Sequence, residues 1–159
     1  MTMILFFQLN DGNRIPALGF GTFRIPADRS IYSAVSNALK LRYRHIDTAV
    51  AYFNEQEVGE AIKDSGIPCQ DIWVTSKLWL QDYAYEAAQQ AIDTSLEKLG
   101  LDYVDRYLMH QPYGTLNEAW QAMREAQPAG KINPLGVSNF WPDQLKTLEL
   151  MIHVKPAVN

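Results

Sequence analysis

Hydrophobic and polar positions along the chain alternate between short apolar runs and longer stretches with helical spacing. Two apolar stretches flank Asp11-Gly12, a pair of residues that predicts an opening hairpin. After it, strand patterns over 18–23, 44–49, 72–79, 103–110 and 133–140 alternate with helical patterns over 30–41, 54–65, 85–99, 116–126 and 142–152. The closing "KPAVN" has the pattern of a sixth strand that is just beginning.

This regular alternation predicts parallel strands joined by right-handed helical crossovers. Two architectures satisfy it, a doubly wound sheet and a (β/α) barrel. The segment "GFGTF" lacks the third glycine of a dinucleotide fingerprint, and no Walker lysine follows it. The pattern therefore favours the barrel, with residues 1–159 as a single domain.

Composition narrows the range of partners and compartments. The chain has 159 residues, of which 47% are apolar and 20% charged, as in ordinary globular domains. Its net charge of -4 gives no basic surface for nucleic acid, and the apolar run at 4–7 is too short to cross a membrane. Cys69 is the single cysteine, so a reducing, cytoplasmic location is expected.

Polar and ionisable residues collect where the predicted strands end. Asp47, Lys77 and His110 come at the carboxyl ends of successive strands, with Tyr52 just beyond Asp47 and Ser138-Asn139 ending the fifth strand. In either architecture these ends form one rim, where active sites lie.

Such a group suits proton transfer to a developing alkoxide. Tyr52 would be the general acid, and Lys77 would lower the pKa of its phenol. Asp47 would orient and balance Lys77, while His110 would orient a carbonyl oxygen.

Each residue also has a structural interpretation. A carboxylate at a strand end is often a helix cap, a tyrosine there is often a half-buried aromatic, and the histidine could be a core residue with its hydrogen bonds satisfied. A lysine inside an apolar strand is harder to explain, because burying an unpaired ammonium is costly. The four together favour a site.

At these residues the sequence resembles the aldo-keto reductase family. The matching segments are "YRHIDTAVAYFNEQEVGEAI", "VTSKLW", "YLMHQP" and "GKINPLGVSNF". The resemblance implies a (β/α)8 TIM-barrel type fold, incomplete, with an N-terminal hairpin, about five βα units and the start of strand 6. It implies NADPH (NADP) as cofactor and reduction of small aldehydes and ketones by hydride transfer.

Carried over by position, the resemblance makes Tyr52 the proton donor, with Asp47, Lys77 and His110 completing a catalytic tetrad. Gly21 and Thr22 would lie near the nicotinamide ribose, with Asp47 also in the cofactor site, and Ser138 and Asn139 would bind the carboxamide. No metal site is expected, since the three histidines have no ligand spacing.

Two arginines are among the positions that depart from the family pattern. Arg106 has the same strand parity as His110, so it should point inward as an unpaired guanidinium, where the family usually has leucine. Arg42 stands where the family tends to have glycine.

The incomplete barrel also predicts an exposed apolar inner face and unpaired edges, which would favour self-association. The alternative to a reductase is thus a truncated, non-catalytic remnant or an oligomerising interaction module. A metal-dependent barrel hydrolase is a third, weaker interpretation.

Overall fold

An antiparallel hairpin opens the chain, whose computed structural model describes residues 4–159. Strands β1 (Phe6–Gln8) and β2 (Arg14–Pro16) pair across a turn in which Gly12 has φ +90°. The Asp11 carboxylate accepts a hydrogen bond from the Asn13 backbone N–H at 3.0 Å and so stabilises the turn. The predicted hairpin is confirmed, while residues 1–3 of the predicted domain lie outside the described residues.

The five remaining strands of the described chain form one parallel sheet in chain order. They are β3 (Phe20–Gly21), β4 (His45–Asp47), β5 (Trp73–Leu78), β6 (Arg106–Met109) and β7 (Leu135–Val137). A doubly wound sheet reverses its strand order at a switch point, and this sheet does not. The order is that of a barrel wall, which confirms the predicted partial barrel.

Five helices connect and cover the strands. They are α1 (Arg29–Lys40), α2 (Glu55–Asp64), α3 (Tyr85–Leu99), α4 (Leu116–Ala126) and α5 (Pro142–Ile152). The Asp28 side chain caps α1 by accepting from the Ser30 N–H at 2.7 Å, and Gly100, in the left-handed region, ends α3. The helix boundaries follow the sequence pattern to within a residue or two.

The main core lies between the outer face of the sheet and the helices. Ile46, Val74 and Met109 project outward from their strands and pack with helix residues such as Val58 and Ile92, all of them buried. Each such side chain contributes about 1.5–3 kcal/mol on leaving water. This layer fixes the strands and hence the positions of the residues at their carboxyl ends.

The inner face of β4, β5 and β6 differs from the expectation of exposed apolar side chains. Because partners in parallel strands point to the same side, the inward residues of these strands are His45, Asp47, Trp73, Thr75, Lys77, Arg106 and Leu108. The one aliphatic among them, Leu108, is 4% exposed. His45 pairs with Thr75, and Lys77 and Arg106 pair with Asp47. Trp73, which is half-buried, is the other apolar side chain on this face, so most of the expected apolar surface is replaced by polar pairs on these three strands.

Residues 155–159 extend the sheet beyond β7. Ala157 donates from its backbone N–H to the Leu135 carbonyl, and Val137 donates to the Val158 carbonyl, both at 2.9 Å. The segment is not a regular strand, but this pairing is that of a sixth parallel strand starting where the sequence predicts it.

Candidate active site

Four predicted residues come together at the carboxyl rim of the sheet. The Lys77 ammonium donates hydrogen bonds to the Asp47 carboxylate, to the Thr48 carbonyl at 2.8 Å and to the Tyr52 hydroxyl at 3.4 Å. The rings of Tyr52 and His110 meet edge to face, with centroids 5.6 Å apart. One ammonium thus contacts both a carboxylate and a phenol, and a histidine flanks the phenol.

Tyr52 reaches this position because the chain turns sharply after β4. It ends a single 3-10 turn, Val50–Tyr52, and Phe53 follows in the left-handed region at φ +57° with its ring 80% exposed. The turn directs the Tyr52 hydroxyl back toward Lys77 and leaves the next ring outside.

Asn54 holds this turn to the rest of the rim. Its buried side chain accepts from the Thr48 hydroxyl at 2.9 Å and donates to the carbonyls of Thr22 and Ile25 at 3.1 and 3.2 Å. The loops after β3 and β4 are joined through this one amide. Sequence reasoning missed Asn54, since a polar residue just before a helix is ordinarily a cap; the two hydroxyl residues Thr22 and Thr48 were the available signal.

Burial shifts the pKa values of Lys77 and Tyr52. Desolvation lowers the pKa of Lys77, and the Asp47 carboxylate partly restores it. The net shift of the Tyr52 pKa is opposite to the lowering predicted from Lys77, because burial first and the Asp47 carboxylate second raise that pKa. The phenol is therefore held in its protonated form.

His110 is a neutral imidazole at neutral pH. Burial, followed by the nearby Lys77 charge, lowers its pKa to about 4. The Trp79 ring packs against its edge at 5.1 Å between centroids, and its Nδ1 is buried without a hydrogen-bond partner among the described residues. The His110 ring is held by packing, and Nε2 is the ring nitrogen left to bind a ligand.

Arg106 is paired, contrary to expectation. It points inward from β6, but its Nη2 lies 3.7 Å from Asp47 Oδ2, so the guanidinium shares the carboxylate with Lys77. Sequence reasoning identified its inward direction from strand parity but missed its partner, which lies on another strand.

The predicted cofactor residues occupy the same rim. Gly21 is exposed beside Asp47, and a Cβ added there would meet no atom within 4 Å. Asn139, at φ +63°, donates from its amide to the His110 carbonyl at 2.9 Å and to the Ser138 hydroxyl at 3.1 Å. Thr22, in contrast, is fully buried against Asn54, so its contact with a cofactor stays a prediction.

The family model of the "Aldo/keto reductase family" matches residues 17–159. The chain belongs to the aldo/keto reductase family. An aldo-keto reductase of Mycolicibacterium smegmatis is 46% identical over 154 residues, covering 95% of this chain and 56% of that protein.

Solved aldo/keto reductases have the same fold. A Brucella melitensis aldo/keto reductase superposes with a TM-score of 0.94 at 47% identity, over 99% of this chain and 62% of that one. A Bombyx mori aldo-keto reductase, crystallised in complex with NADP, gives 0.92 at 36% identity, over 100% of this chain and 58% of that one. The chain spans about half the length of the curated relatives it matches.

No helix within 4–159 is long and apolar enough to cross a bilayer. The same residues contain no group of three or more histidine, cysteine or acidic side chains arranged to hold a metal ion.

Proposed function

We propose that this chain carries the proton-transfer site of an NADPH-dependent reductase of aldehydes and ketones, with Tyr52 as the proton donor. The observation that supports it is the Lys77 ammonium, which bridges the Asp47 carboxylate and the Tyr52 hydroxyl. A structural tyrosine would not require a buried, charge-balanced lysine at its hydroxyl.

The chemistry is the addition of a hydride and a proton across a carbonyl. NADPH, when bound at the rim, would supply the hydride to the carbonyl carbon and become NADP. Tyr52 gives its proton to the carbonyl oxygen, so the product is an alcohol and a tyrosinate remains. Lys77 stabilises that anion, since an ammonium at hydrogen-bond distance favours the charged form.

His110 orients the carbonyl in this proposal. A neutral imidazole can donate one N–H to the carbonyl oxygen, and the lowered pKa of His110 keeps the ring neutral. The buried Nδ1 leaves the other ring nitrogen for the substrate. Phe23 packs on Tyr52 at 5.0 Å and Trp79 on His110 at 5.1 Å, so the carbonyl would enter between apolar walls.

The rim fits the nicotinamide end of the cofactor. Gly21 leaves open space next to Asp47. No described donor reaches the side-chain oxygen of Asn139, which is left to accept from the carboxamide, while Ser138 is half-buried beside it. The NADP complex of the Bombyx mori relative supports the choice of cofactor.

An NADPH titration followed by substrate assays tests this function. Added NADPH should quench the tryptophan fluorescence of monomeric fractions of the chain in a saturable way. Tyr52→Phe should retain that binding and lose at least about 100-fold in carbonyl reduction, the usual size of general acid catalysis. Tyr103→Phe, just before the amino end of β6, is the matched control and should keep full activity. Activity in Tyr52→Phe equal to that of the unmodified chain would contradict the mechanism.

The competing function is a non-catalytic module that associates with itself. Leu5 and Phe7 of the hairpin and Leu150 of α5 are exposed, and β3 is the first strand of the described parallel sheet. Light scattering over a range of concentrations should detect such association. Oligomers without saturable NADPH binding would favour the module.

We also propose a cytoplasmic location, since the single cysteine, Cys69, is free and exposed.

A further inference from the structure

Arg106 is a buried cation that the proposed mechanism does not use. It begins β6 on the inner face, in register with Thr75 of β5, and is 7% exposed. Its Nε has no hydrogen-bond partner among the described residues, and its one ion pair there is with Asp47. An arginine is rarely buried without a partner that requires it, so this contact needs an explanation.

The Asp47 carboxylate lies between two cations. Lys77 pairs with Oδ1, and Arg106 Nη2 lies 3.7 Å from Oδ2. The guanidinium cannot lose its proton under ordinary conditions, so its charge is permanent. The three groups together carry a net charge of about +1 when Lys77 is protonated.

We propose that Arg106 is a positioning residue of the proton-transfer site: it holds the second oxygen of Asp47 and supplies a permanent positive charge that stabilises an anion at the Tyr52 hydroxyl. The inference rests on the proposed role of Tyr52 as donor. Without Arg106, Lys77 would be the one cation paired with Asp47 among the described residues, and less of the carboxylate's negative charge near the phenol would be balanced.

The other groups near the phenol cannot replace this charge. His45 on β4 is neutral, because burial and then Arg106 itself lower its pKa to about 4. His110, after β6, is neutral for the reason given above. Asp47 raises the pKa of Tyr52, and the charge of Lys77, which contacts the Tyr52 hydroxyl, is partly balanced by that same carboxylate. Removing Arg106 therefore leaves Asp47 less compensated, and the pKa of Tyr52 should rise.

Ionisation of the phenol at position 52 can be measured directly. The full chain is prepared with 3,5-difluorotyrosine at position 52, whose hydroxyl ionises nearer neutrality, and its ¹⁹F NMR signal is followed against pH. In Arg106→Leu the midpoint should rise, by at most about one pH unit, because the Asp47 carboxylate beside the phenol is then less compensated. In Arg106→Lys, which keeps the charge, the midpoint should stay close to that of the unmodified chain.

Lys131→Met is the matched control for loss of one positive charge. Lys131 pairs with Asp93 at 2.5 Å on the exposed surface, and the variant should leave the midpoint unchanged. An unchanged midpoint in Arg106→Leu, or an equal rise in Lys131→Met, would overturn the proposal. If Arg106→Leu loses its native circular dichroism, Arg106→Met, which keeps the length of the chain, takes its place with the same expected rise.

The titration requires no turnover. A chain that reduces no carbonyl can still show the dependence on Arg106, and an active chain can lack it. Failure of this inference and failure of the proposed function are therefore separate results.

Discussion

Arg42 shows at the scale of one residue how the fold tolerates an unfavourable backbone. It connects α1 to β4 at φ +70°, and its N–H donates to the Leu39 carbonyl at 3.0 Å. A side chain in the left-handed region costs roughly 1–2 kcal/mol, which glycine avoids. The left-handed backbone of this turn gives a physical reason for the glycine that the family resemblance predicts at position 42.

Arg42→Gly should therefore raise the free energy of unfolding, by about 0.5–1 kcal/mol after the extra entropy of glycine in the unfolded chain is subtracted. Urea denaturation measures it. Arg42→Ala removes the same charge but keeps a Cβ, so it should not stabilise. If both variants stabilise equally, the charge and not the backbone is responsible.

At the scale of an element, Gly59 allows helices α2 and α3 to meet. A methyl group at Gly59 would lie 2.7 Å from Leu99 Cα and would overlap the Leu99 carbonyl group. This carbonyl belongs to the last residue of α3, just before Gly100 ends the helix. The two helices approach as closely as their backbones permit.

Gly59→Ala should destabilise the chain, although alanine is the better helix former by about 1 kcal/mol. Overlap with a backbone group forces the helices apart, and overpacking of this kind costs about 1–3 kcal/mol. Thermal unfolding should show a lower Tm. Gln56→Ala, exposed on the same helix, is the control and should leave Tm unchanged or slightly higher. A rise in Tm for Gly59→Ala would show that the helices separate freely.

At the scale of the whole molecule, buried ionisable groups act in opposite directions on stability. The pKa values of His45 and His110 are lowered to about 4, mainly by burial. Between about pH 6.5 and 4 these histidines are protonated in the unfolded chain but neutral in the folded one. Their contribution to the free energy of unfolding is therefore complete above about pH 6.5 and is lost as pH falls toward 4. Burial raises the pKa of Asp105 to about 6, so its contribution is lost as pH rises from about 4 to 6.

His45→Gln isolates one of these contributions. Going from pH 7.5 to pH 5, the variant should lose about 1–2 kcal/mol less stability than the unmodified chain, because glutamine takes up no proton on unfolding. Urea denaturation at both pH values gives the difference. His153→Gln, at an exposed position after α5, is the control. Parallel losses in His45→Gln and the unmodified chain would contradict the assigned pKa.

Much of this molecule was determined by the sequence alone. The order of strands and helices followed from local pattern, and the helix bounds were predicted to within a residue or two, because each depends on neighbours within one element. Placing Asp47, Lys77 and His110 on one rim required one further rule, that parallel strands end on the same side.

Only the tertiary structure decided the contacts within that rim. Arg106 and Asp47, Asn54 and Thr22, and Gly59 and Leu99 meet across different elements, at distances that no local pattern fixes. The direction of the pKa shift of Tyr52 could not be predicted from the sequence either, because it depends on how far burial outweighs a neighbouring ammonium. Local periodicity determines which residues reach the rim, and packing determines which charges they face there.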